Sequence, residues 1–151
     1  MSFPAEVSLW ACLGLALLAA IWDARSRKIP NWLNLLIAIA ALTFAVLSGG
    51  WATAGSAAIH AVIALVLGAG LFAIGFIGAG DAKMYSATAF ALPLPSALPM
   101  LGWTSLAGFI LLVGMLATRW MAGKPLRQDG KSFTVPYGVA IAGGLWLTQL
   151  S

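Results

Sequence analysis

Long apolar stretches separated by short polar ones run the whole length of this chain. Six can be marked, at about residues 7–22, 32–47, 56–77, 82–100, 103–120 and 135–150. A helix needs about 20 apolar residues to cross the hydrocarbon core of a bilayer. In lipid, only helices and closed barrels satisfy their own backbone groups. The pattern therefore predicts an all-α protein: a polytopic integral membrane bundle of six transmembrane helices, forming one domain over residues 1–151. The fourth stretch carries Pro93, Pro95 and Pro99 at its far end, which predicts a helix stopping near Leu92 and continuing as an irregular turn. Gly68, Gly70, Gly75, Gly78 and Gly80 thin the end of the third stretch and the residues after it. Small residues let helices pack closely in lipid, so this segment is expected near the centre of the bundle.

The connections between stretches alternate in charge. The first holds Asp23, Arg25, Arg27 and Lys28, and the third holds Asp81 and Lys83. The fifth holds Arg119, Lys124, Arg127, Asp129 and Lys131, whereas the second and fourth hold no charge. All 8 lysines and arginines thus fall on odd-numbered connections. Under the positive-inside rule those connections face the cytoplasm and both termini lie outside. The first stretch has Glu6 before it and basic residues after it, the reverse of a secretory signal, so a retained helix is expected.

Composition agrees with this picture. The chain is 62% hydrophobic and 8% charged, against about 25% charged for a soluble domain. The net charge of +4 encodes topology rather than affinity for nucleic acid, because the basic residues lie between apolar stretches. Residues 119–131 fit topology alone, attraction to anionic headgroups, or reception of a substrate. The single cysteine, Cys12, allows neither an internal disulfide nor a CxxC zinc pair and reads as a packing residue. The 7 tryptophans mostly flank the stretches and read as interfacial anchors. His60, the sole histidine, lies nearer the outer face and reads as a packed residue with a local hydrogen bond.

Of the 4 acidic residues, Asp23 and Asp81 each stand where an apolar stretch meets the cytoplasmic face. Ionisable groups at membrane depth are expensive and suggest function. Two carboxylates brought together cannot both ionise easily, so one holds a proton while the other activates water. Gly78 and Gly80 clear side chains from around Asp81. The residues alone leave a second reading open, in which Asp23 pairs with Arg25 or Arg27 and Asp81 with Lys83 as boundary charges.

Ile77-Gly78-Ala79-Gly80-Asp81-Ala82-Lys83 resembles the GxGD-x-K signature of type IV prepilin peptidases. Asp23-Ala24-Arg25-Ser26-Arg27-Lys28-Ile29-Pro30-Asn31 resembles that family's other aspartate motif, and Pro136-Tyr137-Gly138 its late Pro-Tyr-Gly. The likeness covers about residues 7–150. It implies a membrane aspartic endopeptidase with Asp23 and Asp81 as catalytic residues and Gly78 and Gly80 as motif glycines. Its substrate would be a prepilin, with a basic leader followed by a hydrophobic helix. Neither metal nor other cofactor is implied. The larger members carry two CxxC pairs in an N-terminal segment. The chain resembles instead the short form found in Flp (tight-adherence) pilus systems.

Supporting roles follow from the same motifs. Lys83 fits holding Asp81 charged, meeting a substrate carbonyl, or snorkelling to the interface. Asn31 is expected to cap the second helix rather than contact the substrate, with Pro30 setting the entry to it. Tyr137 fits either a hydrogen bond near the aspartates or interfacial anchoring. The sequence leaves two rivals open: a transporter or non-catalytic pilus-assembly component, and a preflagellin-type peptidase with the same dyad. A transporter more often places its ionisable residues near the bilayer midplane.

Overall fold

A computed structural model of the chain describes residues 1–123 and 135–151, so Lys124, Arg127, Asp129 and Lys131 lie outside the described residues. Within the described residues the protein is built of helices: α1 (Phe3–Ser26), α2 (Asn31–Ala73), α3 (Ala79–Ala89), a 3-10 turn (Leu94–Ser96), α4 (Ala97–Met121) and α5 (Tyr137–Leu150). Three segments are long and apolar enough to cross a membrane: Phe3–Ser26, Asn31–Ala73 and Leu94–Met121.

The uncharged second connection, expected at residues 48–55, is reduced to one residue. Gly50 breaks α2 with φ 70° and ψ −170°, and helix resumes on both sides. Glycine reaches that left-handed φ without steric cost. Ala45 packs in one buried cluster with Ala54 and Ala57. On a straight helix Ala45 and Ala57 would stand about 18 Å apart, so the chain reverses at Gly50 and α2 is two packed arms.

The fourth expected helix, 82–100, is also redrawn. Helix α3 starts at Ala79 and ends at Ala89, which makes it 11 residues long. That is about 17 Å, short of a crossing on its own. Turns and the 3-10 segment carrying Pro95 follow, and α4 begins at Ala97. Pro99 is not a breaker there, because it falls in the first turn of α4, where a missing N–H leaves no helical bond unmade.

Small residues make the contacts. Ala16, Ala19 and Ala20 of α1, Ala41, Ala57 and Ala61 of α2, and Ala140 and Ala142 of α5 are buried. Bulky residues such as Leu35, Ile39 and Val66 point outward, as lipid-facing residues do. Neighbouring pairs are α1 with α2, α2 with α3, α1 with α5, and α5 with α4. The glycine-thinned segment is not uniformly central. Gly68 meets Ala82 of α3 closely, whereas Gly70 and Gly75 face open space. Helix α4 is the most peripheral, with Met100 its single buried residue.

Polar ties fix the end of the bundle where α4 begins. The His60 Nδ1–H donates to the Leu92 carbonyl at 3.0 Å, so the packed histidine bonds a residue 32 positions along the chain rather than a local one. The Leu94 N–H donates to Ser56 Oγ at 3.0 Å, and Ser86 Oγ donates to the Ala61 carbonyl at 2.8 Å. Tryptophans pair edge-to-face at opposite ends of α1: Trp10 with Trp146 and Trp22 with Trp32.

Helix α5 comes close enough to α4 that a Cβ on Gly144 would lie 2.8 Å from the Thr104 backbone nitrogen and 2.9 Å from its Cα. Backbone cannot swing aside, so Gly144→Ala should destabilise the protein by about 1–3 kcal/mol. Gly102→Ala meets nothing within 4 Å and should stabilise α4 by about 0.5–1 kcal/mol. Thermal unfolding of both variants in detergent micelles measures the contrast.

Candidate active site

Asp23 lies in the last turn of α1, 6% exposed. The C-terminal end of a helix is a poor place for a negative charge. The compensation comes from α5, whose first turn points at it: the Gly138 N–H donates to Asp23 Oδ2 at 3.0 Å. That N–H is one of the donors a helix start leaves without an internal partner, and the positive end of the α5 dipole favours an anion there. Gly138 must be small for this. A Cβ on it would stand 3.0 Å from Asp23 Cβ and 3.1 Å from Oδ2. Arg27, which closes α1 in a left-handed conformation at φ 55°, also acts electrostatically on Asp23.

Asp81 occupies the first turn of α3. Its Oδ2 accepts the N–H of Gly78, the residue that starts the helix, at 3.2 Å. A Cβ on Gly78 would come within 2.8 Å of that oxygen, so a side chain there would push the Asp81 carboxylate off its N–H donor. Gly80 lies against Ile29, where an added Cβ would make ordinary contacts of 3.5 Å and beyond. It seats α3 on the link between α1 and α2, and so brings the two aspartate motifs to one end of the bundle. Burial, and after it the charge of Asp23, push the Asp81 carboxyl up to about 6, against the lowering effect of the Gly78 N–H. The charge of Asp23 thus reaches Asp81.

The supporting residues fall differently from expectation. Pro30, not Asn31, is the cap of α2, and its carbonyl accepts the Leu33 and Asn34 N–H groups at 3.1 and 3.3 Å. Asn31 is the first residue inside the helix, and its Oδ1 accepts from Lys83 Nζ at 3.1 Å. Lys83 is therefore tied to the start of α2, bridging the two motifs, and does not figure among the influences on Asp81. Tyr137 is half-exposed beside Gly138. Gly138 was not singled out as a site residue, although Pro-Tyr-Gly was visible. Its role rests on its N–H, which no residue type announces.

Asp81 and Tyr137 open onto a cavity of about 660 Å³ that lies between the second arm of α2 and α4. Its lining is almost wholly apolar, with Leu67, Leu71, Leu101 and Phe109 among the walls. Among the described residues, no group of three or more His, Cys, Asp or Glu is arranged to hold a metal ion.

Fold and site together define a helical membrane protein with an apolar groove that Asp81 lines and with the charge of Asp23 acting on that residue. The chain belongs to the type IV leader peptidase family, whose sequence profile matches residues 10–113 and so includes both aspartates. Membership implies a leader-peptidase-like protease, a hydrolase acting on a protein substrate. Among curated proteins and among solved structures, none matches the chain.

An acid raised by the fold from 3.8 to about 6 opposes folding once it ionises. Its penalty is absent below the unfolded value of 3.8, grows as pH rises, and is complete above about 6. Asp81→Asn keeps the acceptor for Gly78 and removes the charge. It should raise the melting temperature by about 2–4 °C at pH 8, with the gain vanishing near pH 3.5. Thermal scans across that range in detergent test both arms.

Proposed function

We propose that this protein is a membrane aspartic endopeptidase that removes the basic leader from prepilins at the cytoplasmic membrane face, serving pilus biogenesis or secretion. The observation carrying this reading is the electrical coupling of Asp23 and Asp81, each held by the N–H of a glycine at a helix start. Boundary charges neutralised by neighbouring cations have no need of each other. Here the charge of Asp23 reaches Asp81 and raises it, as expected of a pair that shares a proton.

Water held between the carboxylates attacks the scissile carbonyl carbon and gives a proton to the ionised aspartate. The protonated aspartate gives its proton to the carbonyl oxygen. Collapse of the tetrahedral intermediate breaks the C–N bond as the leaving amine takes up a proton, and no covalent enzyme intermediate forms. The Lys83–Asn31 bond holds α3 against the start of α2 and keeps the site in register.

In this reading the chain is one transmembrane domain in a bacterial inner membrane. The two arms of α2 cross separately, the termini are periplasmic, and the site faces the cytoplasm. Arg25, Arg27, Lys28 and Lys83 lie at the aspartate end, which supports that orientation. A preflagellin-type substrate would use the same chemistry.

Co-expression with a candidate prepilin tests the proposal. Asp23→Asn and Asp81→Asn should each abolish leader removal, seen as loss of the mobility shift on a gel, while the variant stays inserted. Wild-type processing by Asp81→Asn would sink it. Gly138→Ala should cut kcat at least tenfold with the protein still folded, because its methyl group displaces the Asp23 carboxylate.

A further inference from the structure

The helices form an incomplete ring. Contacts run from α2 to α1 to α5 to α4, with α3 packed against both α2 and α5, and the second arm of α2 is not among the close neighbours of α4. The gap is the cavity of about 660 Å³. One wall is the outer face of the second arm, where Leu67 is 64% exposed. The other is α4, where Leu101 and Phe109 are exposed. Ala82 and Tyr85 of α3 and Ile141 of α5 form the floor.

The gap has a direction. Its lining on α4 runs from Ala97 to Leu112, about 22 Å of helix. At the Ala97 end it is closed by the polar ties of His60 to Leu92 and Ser56 to Leu94. At the other end lie Phe76, Asp81 and Tyr137. The groove therefore covers most of the roughly 30 Å apolar thickness of a bilayer and terminates at a candidate catalytic carboxylate.

We propose that this groove is the docking site for the apolar membrane helix of the substrate, with the second arm of α2 and α4 as its walls. The inference rests on the proteolytic reading above and adds where the substrate lies. A peptide bond just ahead of a membrane helix is tethered to that helix, so it reaches Asp81 from within the bilayer. The groove is continuous with Asp81, open along its side, and lined by apolar side chains that contact an incoming helix through the i, i+3, i+4 spacing of its bulky residues. Helix α4, held mainly by α5, is the wall able to yield as the substrate enters.

The test uses a photoreactive benzoylphenylalanine at Leu67 or Leu101, in full-length protein carrying Asp81→Asn to keep the substrate uncut. The probe substrate has a basic leader and an apolar helix. Leu35, 61% exposed on the first arm of α2, is the control position. Adducts to the substrate helix are expected from Leu67 and Leu101 and not from Leu35. With Asp81 restored, Leu101→Trp should raise KM at least tenfold, while Leu35→Trp leaves processing unchanged. Equal labelling from Leu35, or labelling of lipid alone from Leu67 and Leu101 while the wild type cuts, overturns the groove and leaves the protease. Adducts without any cutting by the wild type would keep the groove and remove the proteolytic reading.

Discussion

The interaction on which the site depends is the hydrogen bond from the Gly138 N–H to Asp23. A carboxylate in the final turn of an apolar helix, almost wholly removed from solvent, carries a heavy desolvation cost and sits at the wrong end of its own helix dipole. It is tolerable because a second helix start meets it. That requirement pulls the N-terminus of α5 against the C-terminus of α1, and the absence of a side chain at position 138 sets how near it comes. Asp81 solves the same problem locally, using the helix start that it occupies itself.

Close packing through small residues then brings the two aspartate motifs to one end of the bundle. Alanines dominate the contacts among α1, α2 and α5, and Gly68 and Gly144 mark the nearest approaches. In lipid there is no hydrophobic gain from pressing apolar helices together, so shape and polar ties hold the bundle. Helix α4 has fewer of both, which leaves the groove beside it. The same economy that makes the core tight around the aspartates leaves one side of the bundle open.

Much was legible in the chain, and for local reasons. Helicity and membrane residence follow from uninterrupted apolar stretches, and the sidedness expected of the aspartates from the segregation of lysine and arginine. Asp23 and Asp81 stood out because charge is so scarce in this sequence. The places that misled were those where a local rule met a longer-range contact. Asn31 looked like a cap, but its amide oxygen is taken by Lys83, and Pro30 caps instead. Residues 48–55 looked like a connection, but packing of Ala45 on Ala54 and Ala57 lets a single glycine turn the chain.

By itself, then, the sequence determined a helical membrane protein with two acids of matched position, since hydropathy and charge act along the chain and can be read there. The tertiary structure alone decided that Asp23 would influence Asp81, that Gly138 would support one and Gly78 the other, and that an open groove would end at Asp81. Those outcomes depend on how closely backbones approach and which N–H points where. Such quantities come from packing between segments far apart in the chain, and no residue type encodes them.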